Sequence, residues 1–236
     1  MATTALPAHV AIAPLAAIGV LAFVTTRAAG SFGIPEFGDD PTATGRWLEL
    51  QRALVPLGAP GLASSKQVHG TRVLQHTGAR EGWLRVDDAD GHVLLTSGAA
   101  AISVADCVPV FLAHPAGGVG IVHAGWRGVA DGILSEAIRV CAAHGMPAAE
   151  LVVHFGPSIC GRCYEVGKDV YEKLTGWATM RPRQVDLRAL LADQAKQLGV
   201  TQWSASGECT KCDNDSFFSH RAGDAGRQVA CIVRPA

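Results

Sequence analysis

Three residues with side chains that bind metals stand at the ends of short apolar segments. Cys107 begins one such segment, while His69 and His123 each lie at the end of another. One thiolate and two imidazoles form a borderline-soft donor set that suits Zn²⁺, and three protein ligands leave the fourth tetrahedral position open. An open position lowers the pKa of bound water towards ~7, which supplies a nucleophile at neutral pH. The residue types therefore predict an open metal site.

The same residues support two other interpretations. Cys107 could be a buried structural thiol, with His69 and His123 as ordinary hydrogen-bonded residues. Alternatively, Cys107 could be a thiolate nucleophile with His123 as its base, as in cysteine hydrolases. His69 favours the metal, because a dyad of cysteine and histidine needs no second histidine.

Several charged residues could bind an anion or transfer protons. Arg27, Lys66 and Arg127 lie in loops, where a cation and neighbouring backbone N–H groups can hold a phosphate or carboxylate. Solvated surface charge is the alternative for each of them. Asp106 and Glu165 could act as acid or base groups or orient a ligand histidine. The aromatic residues that could stack on a planar base are Trp126, Tyr164 and Phe218.

Two Cys-x-x-Cys pairs, Cys160 with Cys163 and Cys209 with Cys212, offer a second donor set. Four thiolates could form a structural zinc site. The two pairs are much farther apart in sequence than the ~15–20 residues of a zinc ribbon, and this separation favours ordinary packed thiols instead.

A predicted hairpin would bring the first two candidates together. The apolar segments 108–113 and 119–124 are joined by a turn rich in proline and glycine. If they pair as antiparallel strands, the start of one lies beside the end of the other, so Cys107 and His123 meet at one rim of a sheet.

The remaining pattern predicts a mixture of strands and helices. Strands are expected over 20–26, 62–70, 99–104, 151–155 and 228–233, and helices over 42–54, 129–144, 168–174 and 186–198, the first capped by Asp40. The absence of a regular βαβ rhythm favours an α+β fold in a single domain over residues 1–236.

Composition indicates a compact protein that acts on small molecules. Of 236 residues, 48% are hydrophobic and 17% charged, with a net charge of −1. No basic run suggests a nucleic-acid or anionic-membrane partner. The apolar segment 10–24 is short for a membrane span and lacks a preceding positive region, so we expect neither anchor nor signal peptide. An odd count of seven cysteines indicates reduced thiols in the cytoplasm.

Longer motifs resemble those of the YfiH family, also called the laccase-domain, polyphenol-oxidase-like or peptidoglycan-editing-factor family. The resemblance covers roughly residues 20–234. The matching motifs are Lys66-Gln67-Val68-His69-Gly70, Ala105-Asp106-Cys107-Val108-Pro109-Val110, His123-Ala124-Gly125-Trp126-Arg127-Gly128, Gly156-Pro157-Ser158-Ile159, Cys163-Tyr164-Glu165-Val166, Cys209-Thr210, Phe217-Phe218-Ser219-His220-Arg221 and Gly226-Arg227-Gln228.

This resemblance implies a layered α/β/β/α sandwich of mixed β-sheets, akin to cysteine hydrolases, with one zinc ion on His69, Cys107 and His123. It also implies a zinc-dependent purine nucleoside enzyme. The implied reactions are phosphorolysis of adenosine, inosine, guanosine and methylthioadenosine, and deamination of adenosine. Purine nucleoside and phosphate would then be the small-molecule partners of a monomer or weak homo-oligomer.

In that interpretation, Cys107 is catalytic as a metal ligand, and Asp106 or Glu165 transfers protons. Arg127, with Arg27 and Lys66, holds phosphate.

Three other functions remain open. One is a metal-independent cysteine hydrolase, which could edit cell-wall peptides, and another is a small-molecule binding protein without catalysis. The third, a copper-dependent polyphenol oxidase (laccase), is less favoured because a mononuclear site cannot hold the several coppers that a four-electron oxidase requires. The sequence departs from the family at 26–30, where a loop has one glycine fewer, and near 35–38, where an Asn-Leu-Gly segment is missing. Both departures lie where substrate could bind.

Overall fold

Two six-stranded mixed sheets form the centre of the molecule. The structure is a computed structural model that describes residues 5–34 and 41–235. The strands are β1 (His9–Ala11), β2 (Leu21–Thr25), β3 (Gly61–Ser65), β4 (Val73–His76), β5 (Gly82–Val86), β6 (Gly91–Leu94), β7 (Gly98–Val104), β8 (Val108–Ala113), β9 (Val119–Ala124), β10 (Val152–Phe155), β11 (Glu165–Val166), β12 (Arg183–Gln184), β13 (Gln202–Ala205) and β14 (Gln228–Arg234). The helices are α1 (Ala13–Ala16), α2 (Pro41–Leu54), α3 (Trp126–Asp131), α4 (Ile133–Ala142), α5 (Lys168–Thr175) and α6 (Leu187–Gln197).

Strand order shows how the chain crosses between the sheets. The first sheet has the order β1-β2-β14-β7-β3-β5, and the second has the order β13-β10-β8-β9-β6-β4. Parallel pairs, such as β3 with β7 and β10 with β13, occur beside antiparallel ones, such as β8 with β9. Strands β11 and β12 form a separate two-stranded ribbon.

The sheets pack face to face, and helices cover their outer faces. Side chains such as Ile102 of β7 and Phe111 of β8 fill the space between the sheets. Helices α3, α4 and α6 cover the second sheet through residues such as Leu134 and Leu191. Helix α2 covers the first sheet, with Trp47 in the same apolar cluster. This arrangement confirms the expected α+β fold with α/β/β/α layers.

Most predicted elements are found, with one correction among the helices. The single helix expected over 129–144 is wrong. The structure has two helices, α3 and α4, separated at Gly132, whose φ is +90°. Glycine adopts this left-handed conformation without a steric cost, so a helix commonly ends there. The expected strand over 62–70 ends at Ser65, which leaves 66–70 as a loop. Asp40, expected to cap α2, lies outside the described residues.

No helix among the described residues is both long and apolar enough to cross a membrane.

Candidate metal centre and its pocket

The predicted hairpin is confirmed as β8 and β9. The two strands pair antiparallel, with Val108 opposite Ala124 and Pro109 opposite His123. Cys107 immediately precedes β8, so its side chain lies at the same rim as His123. The sheet therefore brings together two residues that are separated by the whole hairpin.

His69 reaches this rim from the other sheet, on the loop that follows β3. The ligand atoms of His69, Cys107 and His123 lie within 4.8 Å of one another. His69 has a φ of 60° and Asp106 has a φ of 84°. Left-handed backbone is unusual for residues other than glycine and concentrates at functional sites. The loops that contain His69 and Cys107 thus have an uncommon backbone conformation at or beside a member of the trio.

Gly125 has no side chain, and this absence leaves room for the side chains of His69 and Cys107. A Cβ at this position would lie 2.9 Å from Cδ2 of His69 and 3.0 Å from Sγ of Cys107. Contacts that short require atoms to move, so a side chain at this position would displace both ligands. The donor set, its spacing and this cradle all fit a metal ion bound by two nitrogens and one sulfur.

Asp90 holds two members of the trio. This fully buried carboxylate accepts a hydrogen bond from Nδ1 of His123 at 2.9 Å. Because an ionised carboxylate can only accept, Nδ1 carries a proton, and Nε2 of His123 is the nitrogen that can ligate a metal. Asp90 also accepts from the backbone N–H groups of Val68, His69 and Gly70, at 2.8–3.2 Å. One carboxylate therefore fixes both the His69 loop and the His123 ring.

The hydrogen bonds also keep Asp90 ionised. Burial raises the pKa of Asp90. The hydrogen bond from His123, the charge of His123 and the backbone N–H groups lower it by more, so the pKa lies below its ordinary value. The sequence pointed to Asp106 and Glu165 for the orienting role and not to Asp90. Its position in an acidic loop before a strand gave no signal, because nothing in the spacing connects it with His123.

Cys107 and His123 influence each other's protonation. Burial raises the pKa of Cys107, but the charge of His123 and hydrogen bonds from His123 and His69 lower it to about 6 overall. Burial lowers the pKa of His123, whereas the Cys107 thiolate and Asp90 raise it to about 9. In the metal-free protein the two groups therefore form a thiolate–imidazolium pair near neutral pH. The thiolate is ready to ligate a metal, and His123 must release one proton to do so.

Asp106, next to Cys107, lines the same pocket. It is buried, and its Oδ1 accepts from the hydroxyl of Thr210 at 2.6 Å while its Oδ2 accepts from the backbone N–H of Arg221 at 2.7 Å. The Glu165 side chain is exposed and does not line the pocket, although its backbone carbonyl accepts from the Arg221 guanidinium at 2.8 Å. The structure thus brings one of the two expected acid groups to the trio.

A cavity of about 880 Å³ opens in front of the trio. This volume is within the range of small-molecule sites. Its walls carry five cationic side chains, those of Lys66, Arg85, Arg127, Arg221 and Arg227. Lys66 and Arg127 were expected as anion contacts from the sequence. Arg221 and Arg227 stand within the family-like motifs, and no pattern in the sequence indicated Arg85.

Aromatic rings lie beside these cations. The Arg127 guanidinium stacks 4.5 Å from the centre of the Trp126 ring, and that of Arg221 lies 4.7 Å from the Tyr164 ring. Among residues 5–34 and 41–235, we find no carboxylate or carbonyl partner for the Arg127 guanidinium. Its charge is therefore available to an anion in the cavity.

Arg27, the third expected anion contact, has structural partners. Its guanidinium pairs with Asp224 at 2.7 Å and donates to the carbonyls of Asn214 and Phe217. It also lies over the ring of Phe218. Neither Arg27 nor Phe218 lines the cavity. This arginine fixes the segment after residue 213 against the first sheet.

Comparison with known proteins gives a consistent relationship over most of the chain. Residues 28–235 match the family described as multi-copper polyphenol oxidoreductase laccase. A purine nucleoside phosphorylase of Streptomyces griseus is 34% identical over 207 residues, which is 83% of this chain and 83% of that protein. A purine nucleoside phosphorylase of Mycobacterium tuberculosis is 34% identical over 230 residues, 89% of this chain and 90% of that one.

Solved structures show the same architecture. The protein NMB0706 of Neisseria meningitidis is 31% identical and superposes with a TM-score of 0.78 over 92% of this chain and 95% of its own. YfiH of Bacillus licheniformis superposes with a TM-score of 0.82 over 96% of each chain, at 24% identity. With this match over residues 28–235 and relatives at 34% identity, the chain belongs to the multi-copper polyphenol oxidoreductase laccase family, to which the YfiH-type resemblance pointed.

Proposed function

We propose that this protein is a zinc-dependent purine nucleoside phosphorylase, with the metal on His69, Cys107 and His123. The observation that carries the proposal is the position of this trio in the wall of a cavity that also contains five cationic side chains and aromatic rings. Relatives at 34% identity carry the name purine nucleoside phosphorylase, which supports an enzyme acting on nucleoside and phosphate.

Phosphorolysis requires phosphate to be held beside the ribose C1′ while the purine leaves. We assign the phosphate to Arg127, because it lies in the first turn of α3, lines the cavity, and has no carboxylate partner for its guanidinium among residues 5–34 and 41–235. Lys66 also lines the cavity, and we assign it to the same anion. Bringing phosphate and nucleoside together in one orientation removes much of the entropic barrier to the reaction.

The departing purine develops negative charge that must be neutralised. A zinc ion on the trio would supply Lewis acidity at this wall and polarise an oxygen or nitrogen of the substrate. Trp126 and Tyr164 line the cavity, and we assign them to contact with the purine. Asp106 stays close to the reacting groups because Thr210 and Arg221 hold both of its oxygens, and we assign it the acid/base role. We give no role to Glu165 or Arg27, whose side chains do not line the cavity.

The same pocket supports deamination of adenosine as a second reaction. That reaction needs an activated water and a proton carrier beside the purine C6. A metal on the trio would activate the water, and we assign the proton transfer to Asp106, which lines the same cavity. Adenosine, inosine, guanosine and methylthioadenosine are the substrates to test.

We propose zinc and not copper for the trio because of the number and type of its ligands. A four-electron oxidase needs several coppers close together, whereas the trio supplies one site of two nitrogens and one sulfur. This donor set is typical of catalytic zinc. Reduced thiols and a nucleoside substrate also fit a single-domain cytoplasmic enzyme.

Analysis of the reaction products tests the proposal. The protein is incubated with adenosine, with and without phosphate, and the products are separated by chromatography. We expect adenine only when phosphate is present, and inosine in either case. Absence of both products, and of base release from the other three nucleosides, would overturn the proposal.

The thiolate–imidazolium pair favours one alternative, a metal-independent cysteine hydrolase. Metal removal followed by alkylation separates the two. Under our proposal the metal-free protein is inactive before any alkylation, and zinc restores it. A hydrolase would be active without metal and would lose that activity when Cys107 is alkylated.

A further inference from the structure

Four cysteines converge at a second place in the molecule. We propose that Cys160, Cys163, Cys209 and Cys212 bind a structural Zn²⁺, separate from the metal of the pocket. Their sulfur atoms all lie within 4.8 Å of one another, and those of Cys163 and Cys212 are 3.5 Å apart. Four sulfurs around zinc at about 2.3 Å stand roughly 3.8 Å from each other in a tetrahedron, a separation that lies between the shortest and longest limits found here, so only small movements of the sulfurs are needed.

The fold explains why distant pairs meet. Strands β10 and β13 are parallel neighbours, so the loops that follow them leave the same edge of the second sheet. The first loop carries Cys160 and Cys163, and the second carries Cys209 and Cys212. An isolated parallel bridge between Ser158 and Cys209 joins the two loops directly. Partners 49 residues apart in sequence are thereby placed side by side.

Backbone N–H groups point at the sulfur of Cys209. It accepts from the N–H of Cys160 at 3.2 Å and from the N–H of Cys212 at 3.4 Å. Hydrogen bonds of this kind stabilise a thiolate, the form that binds metal. Asp213 fixes the same turn by accepting from the N–H of Cys209 at 2.9 Å. The loop therefore directs two N–H donors at the sulfur that would ligate the metal.

The charge around the cluster suits a closed zinc site. Four thiolates and one Zn²⁺ carry a net charge of −2, and each Cys-x-x-Cys pair contains one exposed cation, Arg162 or Lys211. The sulfurs are too close together for a cluster of several irons, which would hold its ligands farther apart. Cys209 is buried and Cys212 is exposed, so the metal has both an anchored side and an entry path.

This metal would act on the pocket through neighbouring residues. Thr210, next to Cys209, donates to Asp106, and Tyr164, next to Cys163, lines the cavity. The site would thus clamp together the two loops that position Asp106 and Tyr164. We regard it as a structural site with no contact to substrate.

Metal content and X-ray absorption test the proposal on the full chain, purified with a reductant. We expect two zinc ions per chain in the wild type, one in Cys163→Ser/Cys212→Ser, and two in the matched control Cys141→Ala, whose thiol is buried in α4. In His69→Ala/His123→Ala, the zinc that remains should show sulfur ligands alone, at about 2.3 Å.

The wild type and the pocket variant make the test independent of how the cysteine double variant folds. One zinc per chain in the wild type, bound through nitrogen as well as sulfur, would overturn the proposal. Nitrogen scattering from the zinc left in the pocket variant, or no zinc left there, would overturn it equally. A disulfide within the cluster in the reduced wild-type protein would also contradict it.

Discussion

The two cysteine-containing clusters differ in ligand number, donor type and surroundings. The pocket trio offers two nitrogens and one sulfur and faces a cavity of about 880 Å³. The four-cysteine cluster offers four sulfurs, a closed donor set, at the edge where β10 and β13 end. An incomplete donor set keeps a position for substrate, whereas a complete one can only hold the chain together. We therefore expect loss of the first cluster to affect turnover and loss of the second to affect stability.

The largest effect should follow Cys107→Ala. Removing a ligand of the pocket metal should lower kcat/KM by on the order of 10³-fold, since Lewis-acid stabilisation is worth several kcal/mol. Zinc content should fall by one ion per chain while the four-cysteine site stays filled. Steady-state kinetics with metal analysis checks this, with Cys141→Ala as the control. A Cys107→Ala protein with full zinc and full turnover would contradict the assignment of turnover to the pocket trio.

Loss of the second cluster should appear as lost stability. In Cys163→Ser/Cys212→Ser, a cross-link between distant loops is gone, which by analogy with a covalent cross-link is worth about 4 kcal/mol. For a chain of this size that corresponds to a fall in Tm on the order of 10 °C. Differential scanning calorimetry measures it. If Cys107→Ala lowered Tm more than this double variant, the assignment of stability to the four-cysteine cluster would be wrong.

Acid should weaken the contact between β10 and β13, the strands that precede the two cysteine-containing loops. His154 of β10 bonds to Ser204 and Ser206 at the end of β13. Burial, with a smaller contribution from Arg188 opposed by Glu208, lowers the pKa of His154 to about 4. The unfolded chain then takes up the proton first, so this contribution is fully present above pH 6.5 and is lost as pH falls through 4.

By pH 4 the loss should amount to about 3 kcal/mol. Denaturant unfolding at several pH values measures it, and His154→Gln should show a shallower pH dependence between pH 6.5 and 4. An unchanged slope in that variant would show that other groups cause the acid sensitivity.

Asp90→Asn separates positioning from ligation in the pocket. The amide cannot accept all the hydrogen bonds that Asp90 receives from His123 and the 68–70 loop, so the pocket should bind zinc about 10–100-fold more weakly. Chelator competition provides the affinity. The four-cysteine site should keep its wild-type affinity, and an equal loss at both sites would indicate a general structural defect.

Arg127→Ala tests the phosphate contact. Losing one charge-assisted hydrogen bond should raise the KM for phosphate about tenfold with little change in zinc content. Arg139→Ala is the matched control, because Arg139 is exposed on α4 and pairs with Glu136 away from the cavity. Equal effects of the two substitutions would remove Arg127 from the proposed site.

Local patterns allowed much of this arrangement to be predicted. The hairpin around Cys107 and His123 followed from two apolar segments and a turn, and the structure confirms it. Partnerships that depend on the packing of sheets were not visible. The bond from His123 to Asp90 and the meeting of the two Cys-x-x-Cys pairs arise from strand neighbours that are distant in sequence. For the same reason, the long separation of the cysteine pairs in sequence did not show that their four sulfurs meet.

Arg27 illustrates the opposite case, a charged residue whose structural partners were not visible in the sequence. A lone arginine in a loop looks like an anion site in sequence, yet here its partner is Asp224, far along the chain. Sequence identifies a cation but not whether another part of the fold has already neutralised it.

The central claim is that metal on His69, Cys107 and His123 drives phosphorolysis, and a zinc titration tests it most directly. The protein is stripped with a chelator, zinc is returned stepwise, and phosphate-dependent release of hypoxanthine from inosine is followed. We expect no release from the stripped protein and recovery in proportion to zinc bound at the pocket. Full phosphorolysis by the stripped protein would contradict the account.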